Sequence, residues 1–429
     1  MTTRAFVRAL AVASVFAAGC SDPAEPPLPA FSVSPTTQWS GGTITIRSSY
    51  FANRNVALLI VAGSDTVAYS TMDDSTATAQ LPPGPSGPVT LRLVRGTRRD
   101  SLATVQRVGY SVKRTVTPAV YGELLATDSA GAPVVLGGTF TGTGNREPVV
   151  RLRVVPGTSQ ILTLRQPSNT QYGMAPSSIP GAFTVRDAND SIRLVTLLVD
   201  TPAIIDSMHG WSTAFTRQVS LLRSGAWLRT QSHYSYVSYD TGGSSALVPT
   251  ESPWAVYMSP RGDRTTLATV VGNAGVPVWD NATDSVAYRL PFLSTEAAAF
   301  STDGNTLFVV GGYQYGSDSL VAVNATTGAS LLPKVKLPDG MHGMGLAYRP
   351  SVSGGQLLVG AATTSTLALL VYRASTLELL GILPSGDACP DMQTGPCFSG
   401  AVSVDDIHDR AYLVIPGTPT PIWTFELLP

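Results

Sequence analysis

Few residues of this chain have the types and spacings that chemistry requires. The histidines are isolated from one another and from every cysteine: His209, His233, His342 and His408. A serine or cysteine nucleophile needs a positioned histidine, and the sequence contains no G-x-S-x-G, H-E-x-x-H, C-x-x-C or phosphate-binding glycine loop. We therefore predict no catalytic residue, no metal site and no cofactor, and we interpret each histidine as a hydrogen-bonded loop or strand residue.

Two groups of acidic residues invite a metal-binding interpretation, but turns explain both better. Asp187, Asn189 and Asp190 lack the other ligands of an EF-hand-type calcium loop, so we predict a hairpin turn there. Asp405, Asp406 and Asp409 follow an apolar run, and we predict a solvated turn between two strands.

The first 30 residues predict export and attachment to a membrane. Two arginines precede a ten-residue apolar run that is too short to span a bilayer, and Ala17, Ala18 and Gly19 stand before Cys20. This segment resembles a bacterial lipoprotein signal, which implies cleavage after residue 19 and lipid on Cys20. Residues 20–30 are then a proline-rich tether. The alternative is an ordinary secreted protein in which the cysteine stands there by chance.

The other two cysteines predict a disulfide bond. Cys389 and Cys397 lie eight residues apart in a loop rich in proline and glycine, and the chain is predicted to be exported. Two cysteines are too few for a structural zinc site.

A unit of short strands and turns recurs through the C-terminal two thirds of the chain. Between Glu296 and Pro333 the pattern predicts four strands, Ala297–Phe300, Thr306–Val310, Ser319–Val323 and Ala329–Leu332. The equivalent positions of successive units are Met258, Phe300, Tyr348 and Val404. The steps from each position to the next are 42, 48 and 56 residues.

These matches resemble the YVTN-type repeats of bacterial envelope proteins, a subset of the WD40-like β-propellers. The resemblance implies an all-β fold in which residues 118–429 form about seven four-stranded blades. We expect a strand from Val120 to Leu125 to close the ring against the C-terminal strand, because closure removes exposed sheet edges.

The segment before the repeats, residues 31–115, predicts a small immunoglobulin-like β-sandwich. It resembles an IPT/TIG domain in Pro35, Gly41, Gly42, Thr43 to Ile46, Tyr50, Phe51 and Leu81 to Gly84. Ser48 and Ser49 replace the glycine that often precedes the aromatic pair. Such modules usually space or orient other domains.

The composition excludes one class of partner. Charged residues make up 13% of the chain, the net charge is −1, and no basic run is present. The sequence therefore offers no electrostatic surface for nucleic acid.

Loop length predicts a binding surface on one face of the ring. The long loops after the second strand of a blade and between blades emerge on the same face, whereas the other turns are short. The residues that we predict to bind a partner lie in those loops: Tyr313, Tyr315, Met341, His342 and Asp391. The alternative is that these loops are neutral surface insertions.

Together these features predict a lipid-anchored protein of the cell envelope, at the outer membrane, that binds a protein or glycan partner through one propeller face. The alternative is a propeller enzyme of the lactonase or lyase type acting at the central channel. That function would require an acid/base cluster or a metal at the channel, whereas the innermost strands are apolar or small.

Overall fold

The computed structural model describes the greater part of the chain, and between residues 109 and 256 it describes the backbone alone. The described residues are 30–52, 59–62, 65–67, 69–84, 86–95, 98–108, 112–117, 120–127, 133–140, 146–155, 158–163, 174–176, 182–186, 192–196, 204–208, 216–221, 227–231, 236–240, 245–249, 251–270, 275–283, 285–312, 318–338, 340–363, 365–388, 401–415 and 420–427. Within them the secondary structure is β-strand, apart from the 3₁₀ turn Ser49–Ala52. No helix in these ranges is long and apolar enough to cross a membrane.

The N-terminal domain is a sandwich of two sheets. Its strands are β1 Ser32–Ser34, β2 Thr37–Trp39, β3 Thr43–Arg47, β4 Leu59–Ala62, β5 Asp65–Val67, β6 Tyr69–Thr71, β7 Thr76–Gln80, β8 Gly87–Arg95 and β9 Arg98–Val108. One sheet has the order β1-β3-β7-β6 and the other β2-β9-β8-β4-β5. Alternating residues build the core: Ile44 and Ile46 of β3 are buried opposite Ala79 and Ala77 of β7.

After this domain come the strands of a ring. They are β10 Val112–Thr117; β11 Val120–Thr127, β12 Pro133–Phe140, β13 Arg146–Val155 and β14 Thr158–Thr163; β15 Met174–Pro176, β16 Ala182–Arg186, β17 Ile192–Thr196 and β18 Ile204–Met208; β19 Thr216–Leu221, β20 Trp227–Gln231, β21 Tyr236–Asp240 and β22 Ser245–Pro249; β23 Glu251–Met258, β24 Arg264–Val270, β25 Val276–Asp280 and β26 Ser285–Leu290; β27 Ser294–Phe300, β28 Thr306–Gly312, β29 Ser319–Asn324 and β30 Val335–Lys336; β31 His342–Arg349, β32 Gln356–Ala362, β33 Leu367–Arg373 and β34 Glu378–Pro384; and β35 Ala401–Asp405, β36 Arg410–Val414 and β37 Thr420–Glu426.

In the described part of the chain these strands form seven antiparallel blades of four strands, as the sequence predicted. Blades 1 to 6 are β11 to β14, β15 to β18, β19 to β22, β23 to β26, β27 to β30 and β31 to β34, and blade 7 is β35, β36, β37 and β10. Blades 4 and 5 are joined into one sheet by two residue pairs between β24 and β27. The first strands of successive blades contact one another in a closed cycle, from β11 through β15, β19, β23, β27, β31 and β35 back to β11. The first strands are therefore innermost.

The ring is closed by β10, one strand earlier than predicted. β10 pairs with β37 over six residue pairs, from Val112 opposite Phe425 to Thr117 opposite Thr420. The predicted closing segment, Val120 to Leu125, lies instead in the innermost strand of blade 1 and pairs with β12. Both segments contain β-branched or aromatic residues that favour strands, and pairing with the C-terminal strand is a long-range choice that these local propensities do not decide.

One predicted strand of blade 5 is displaced. The fourth strand is Val335–Lys336 rather than Ala329–Leu332, of which only Ser330 forms an isolated bridge, to Val323. Pro333 has no amide hydrogen to donate, so it interrupts the ladder between the two positions.

The core of the ring lies between blades. Every described residue of β28 after Thr306 is buried, and so is every residue of β33 before Arg373. The middle strands of a blade are covered on both faces by the neighbouring blades, which is why these strands read as continuous apolar runs.

A buried arginine joins blades 6 and 7. Arg349 is 1% exposed; its Nε lies 3.0 Å from Asp406, a second guanidinium nitrogen contacts Asp409, and Nη1 donates to Gln356 at 3.1 Å. The predicted turn at Asp405 is present, but Asp405 is buried rather than solvated, because its carboxylate accepts hydrogen bonds from backbone amides of the turn.

His408 is hydrogen-bonded in that turn, as predicted. Its Nδ1 lies 2.8 Å from Asp405 Oδ2. Asp187, Asn189 and Asp190 lie outside the described residues, between the paired strands β16 and β17.

We expect Arg349→Met to lower the free energy of unfolding by about 2–4 kcal/mol, because it removes a buried group with three polar partners. Arg373→Met is the matched control: Arg373 pairs with Glu378 at 3.2 Å, but the two side chains are 43% and 60% exposed. The control should cost less than about 1 kcal/mol. Equal urea midpoints for the two variants would contradict the assignment of Arg349 as a joint between blades.

Candidate partner-binding face

The order of strands in a blade divides the ring surface into two faces. Connections from the second to the third strand, and from one blade to the next, emerge on what we call the loop face. Connections from the first to the second strand, and from the third to the fourth, emerge on the opposite side, which we call the turn face. In chain order, the predicted binding residues stand between β28 and β29, just before or at the start of β31, and between β34 and β35.

Two of those residues lie in the described part of the chain. Met341 and His342 are half-buried where β31 begins, at the loop-face end of blade 6. Tyr313, Tyr315 and Asp391 lie outside the described residues, as do Cys20, Cys389 and Cys397.

Asp318 fixes the base of the loop that carries Tyr313 and Tyr315. This residue is 4% exposed, and its Oδ2 accepts a hydrogen bond of 2.7 Å from the amide of Gly343 in the next blade. Its own carbonyl accepts the amide of Leu337 at 2.8 Å. The carboxylate therefore ties blade 5 to blade 6 at the point where the loop returns to the sheet.

The other end of the loop is equally confined. A Cβ added to Gly312 would lie 2.6 Å from Asp318 Oδ1, so the absence of a side chain there lets the carboxylate lie against the strand. His342 Nδ1 is 3.9 Å from Asp318 Oδ2, which is close enough for electrostatic attraction and too far for a hydrogen bond. The described ends of this loop thus lie beside His342.

The loop that contains the two cysteines also begins from a fixed point. The carboxylate of Asp387 accepts a hydrogen bond of 2.7 Å from the indole nitrogen of Trp423 in blade 7. The amide of Leu367 donates to the carbonyl of Asp387 at 3.1 Å, and the amide of Ser385 donates to the carbonyl of Leu367 at 2.7 Å. The start of this loop is held by both blades that it connects.

Glu296 is a further acidic residue at the loop face and was not among the predicted site residues. It lies near the start of the innermost strand β27, at a bulge where the register to β28 shifts between Thr295 and Ala297. Bulges are frequent at the rims of closed sheets, where they redirect a side chain. The sequence feature that could have identified Glu296 is that it is a single carboxylate placed before the apolar run Ala297–Phe300.

The two carboxyl groups share a desolvated environment. Burial raises the pKa of Glu296 to about 7, and the nearby Asp318 carboxylate adds to the rise. Burial likewise raises the pKa of Asp318, against the lowering effect of the Gly343 amide and of His342. Near neutral pH, Glu296 can therefore donate or accept a proton, and in its charged form it can attract a cationic group of a ligand.

Among the described residues, no three His, Cys, Asp or Glu side chains are grouped so that they could hold a metal ion. Glu296 and Asp318 offer desolvated carboxyl groups at this point, beside His342.

The turn face carries a shallow groove between blades 5 and 6. Its volume is about 430 Å³, and Asp303, Phe308, Leu331, Tyr348 and Ser375 are among its lining residues. The rings of Phe308 and Tyr348 stack with centroids 5.7 Å apart. The sequence carries no local signal for this groove, because the groove depends on the packing of two blades.

We expect Glu296 to make stability depend on pH. Its folded-state pKa of about 7 is above the ordinary 4.5, so the stabilisation is complete below pH 4.5 and is lost as the pH rises through 7. The free energy of unfolding should fall by roughly 2 kcal/mol between pH 5 and pH 8.

Glu296→Gln should flatten this dependence, as measured by urea unfolding at each pH. Asp318 contributes with the same sign, so a smaller slope will remain. Glu378→Gln is the control, since the Glu378 side chain is 60% exposed. An identical slope in the wild type and in Glu296→Gln would contradict the buried position of this carboxyl.

Comparisons with known proteins agree with the two-part architecture. Residues 31–111 match the model of the IPT/TIG domain family. No curated protein matches the chain in sequence. Among solved structures, the β-propeller domain of Myceliophteria thermophila Cps50 (Swd1) is similar with a TM-score of 0.50 at 10% identity, covering 73% of this chain and 98% of its own. The WD40 domain of Toxoplasma gondii coronin has a TM-score of 0.49 at 11% identity, covering 75% and 88%. The chain therefore contains an N-terminal IPT/TIG domain followed by a β-propeller.

Proposed function

We propose that this protein is a lipid-anchored binding or scaffold protein of the cell envelope, and that the loop face of its propeller binds a protein or glycan partner. A propeller joined to an IPT/TIG domain suggests a binding or scaffold role. The proposal adds three specific points: attachment to the membrane through Cys20, location at the outer membrane, and binding of the partner at the loop face.

The observation that carries the choice of face is the rigid base of the loop between β28 and β29. Gly312 and Asp318 are buried, and Asp318 is bonded to the first strand of the next blade. A rigid scaffold lowers the entropic cost of binding through the loop that it presents. Tyrosine supplies a large contact area with few rotatable bonds, which suits Tyr313 and Tyr315 to this role.

The alternative enzymatic function gains one supporting observation. Glu296, with its pKa near 7, is the kind of acid/base group that the innermost strands were expected to lack. The groove formed by described residues, however, opens on the turn face, away from this group. We therefore favour partner binding at the loop face.

We expect Cys20→Ser to abolish labelling of the protein by a radioactive fatty acid and to move it from the membrane fraction to the soluble fraction. The reason is that the thioether to lipid cannot form on serine. Ser21→Ala, next to the cleavage site, is the control and should remain membrane-bound. Retention of the Cys20→Ser protein in washed membranes would contradict lipid anchoring.

We expect Tyr313→Ala combined with Tyr315→Ala to weaken partner binding by about 2 kcal/mol, or roughly thirtyfold in Kd, if these residues are anchors. Isolated peptidoglycan sacculi and crosslinked envelope extract are the two probes, which separate glycan from protein partners. Met341→Ala should weaken the same interaction to a smaller extent.

The control for that experiment lies on the turn face. Thr302→Ala combined with Thr326→Ala changes two exposed residues in the short turns of blade 5. Binding should then equal that of the wild type. Equal binding by all variants, or equal loss in the turn-face control, would contradict the choice of the loop face.

A further inference from the structure

The IPT/TIG domain is docked on the propeller through the segment that follows β2. The carbonyl of Ser40 accepts a hydrogen bond of 2.7 Å from the amide of Ile382 in β34, the outermost strand of blade 6. Trp39 is 6% exposed and packs in one apolar cluster with residues of blades 6 and 7, among them Leu369 and Trp423. A residue of the small domain thus completes the core of the large one.

The contact is close enough to require glycine on both sides. A Cβ on Gly381 would lie 2.7 Å from Cβ of Trp39 and 2.9 Å from the carbonyl oxygen of Ser40. A Cβ on Gly42 would lie 2.5 Å from the carbonyl oxygen of Leu380. Neither glycine has a positive φ, so it is the close approach of two backbones, and not the local conformation, that excludes a side chain.

The docked segment is braced within its own domain. The carbonyl of Gly42 accepts the amide of Leu81 at 2.8 Å, and the carbonyl of Gly41 accepts the side-chain amide of Gln80 at 3.0 Å. The amide of Ser40 donates to the carbonyl of Val108 at 2.9 Å. The segment therefore moves with the sandwich.

The same segment controls the entry to the closing strand. Trp39 pairs with Val108, the last residue of β9, and β10 begins only four residues later at Val112. β10 then supplies the outer strand of blade 7, whose Trp423 and Phe425 belong to the cluster around Trp39. Docking on blade 6 thus holds the chain at the point from which it must reach blade 7.

We propose that the IPT/TIG domain is a latch for the propeller: its docking on β34 holds β10 in register with β37, so that the two domains open together. Separate domains joined by a linker normally move relative to each other unless their interface is apolar and well packed. The interface here includes a buried tryptophan and a backbone hydrogen bond to a sheet edge. It covers part of an edge strand that would otherwise be open to pairing with another chain.

The test is amide hydrogen exchange on the full-length chain carrying Gly381→Ala. This substitution adds a methyl group on the propeller side of the interface, where it would clash with Trp39 and Ser40. We expect the amides of β10 and the Ile382 amide to exchange at least tenfold faster than in the wild type. The amides of β3 in the sandwich and of β28 in blade 5 should keep their protection. Gly42→Ala, which adds a methyl group on the other side of the interface, should give the same pattern.

Two exposed residues provide controls. Met72→Ala in the sandwich and Ile407→Ala in the propeller change side chains that are 70% and 68% exposed, and they should leave exchange in β10 unchanged. If Gly381→Ala does not fold, Trp39→Phe is the substitute, because it keeps an aromatic ring in the cluster. It should accelerate amide exchange in β10 to a smaller extent. Faster exchange at Ile382 with β10 unchanged would overturn the latch, and unchanged exchange at both would overturn the docking itself.

Discussion

The pairing of β10 with β37 is the interaction on which the rest of this structure depends. Among the described strands no ladder runs continuously around the ring, although β24 of blade 4 pairs with β27 of blade 5 over two residue pairs. The two ends of the propeller are joined by the exchange of strands at β10 and β37. Without β10, blade 7 would have three strands, and β37 would present an open edge. The position of the N-terminal domain follows from the same pairing, because only three residues separate the end of β9 from the start of β10.

Polar residues join neighbouring blades at both faces of the closed ring. Asp318 connects blades 5 and 6 at the loop face, and Arg349 connects blades 6 and 7 at the turn face. Each is buried with several partners, which satisfies charged groups that would otherwise oppose folding. These contacts also fix the ends of loops and turns. The same residues therefore hold neighbouring blades together and position the loops at the surface.

The two faces differ in what they offer a ligand. At the loop face, the described residues provide desolvated carboxyl groups beside a histidine and the anchored ends of long loops. At the turn face, short turns surround an open groove with a stacked aromatic pair. Long, anchored loops are suited to a macromolecular partner, whereas the raised pKa of Glu296 links the stability of the loop face to pH near neutrality.

The sequence by itself determined the fold class, the repeating unit and the location of the N-terminal domain, because alternating strands and turn residues are local signals. Glu296, Asp318 and His342 are separated by 22 and 24 residues. The folding of blade 5 brings Glu296 near Asp318, and the packing of blade 6 against it brings His342 to Asp318. The closing strand was misassigned for a related reason: β10 and β11 both contain strand-forming residues, and pairing with the C-terminal strand is a long-range choice. The burial of Trp39 between blades was likewise decided by tertiary structure, since its cluster joins residues more than 300 positions apart.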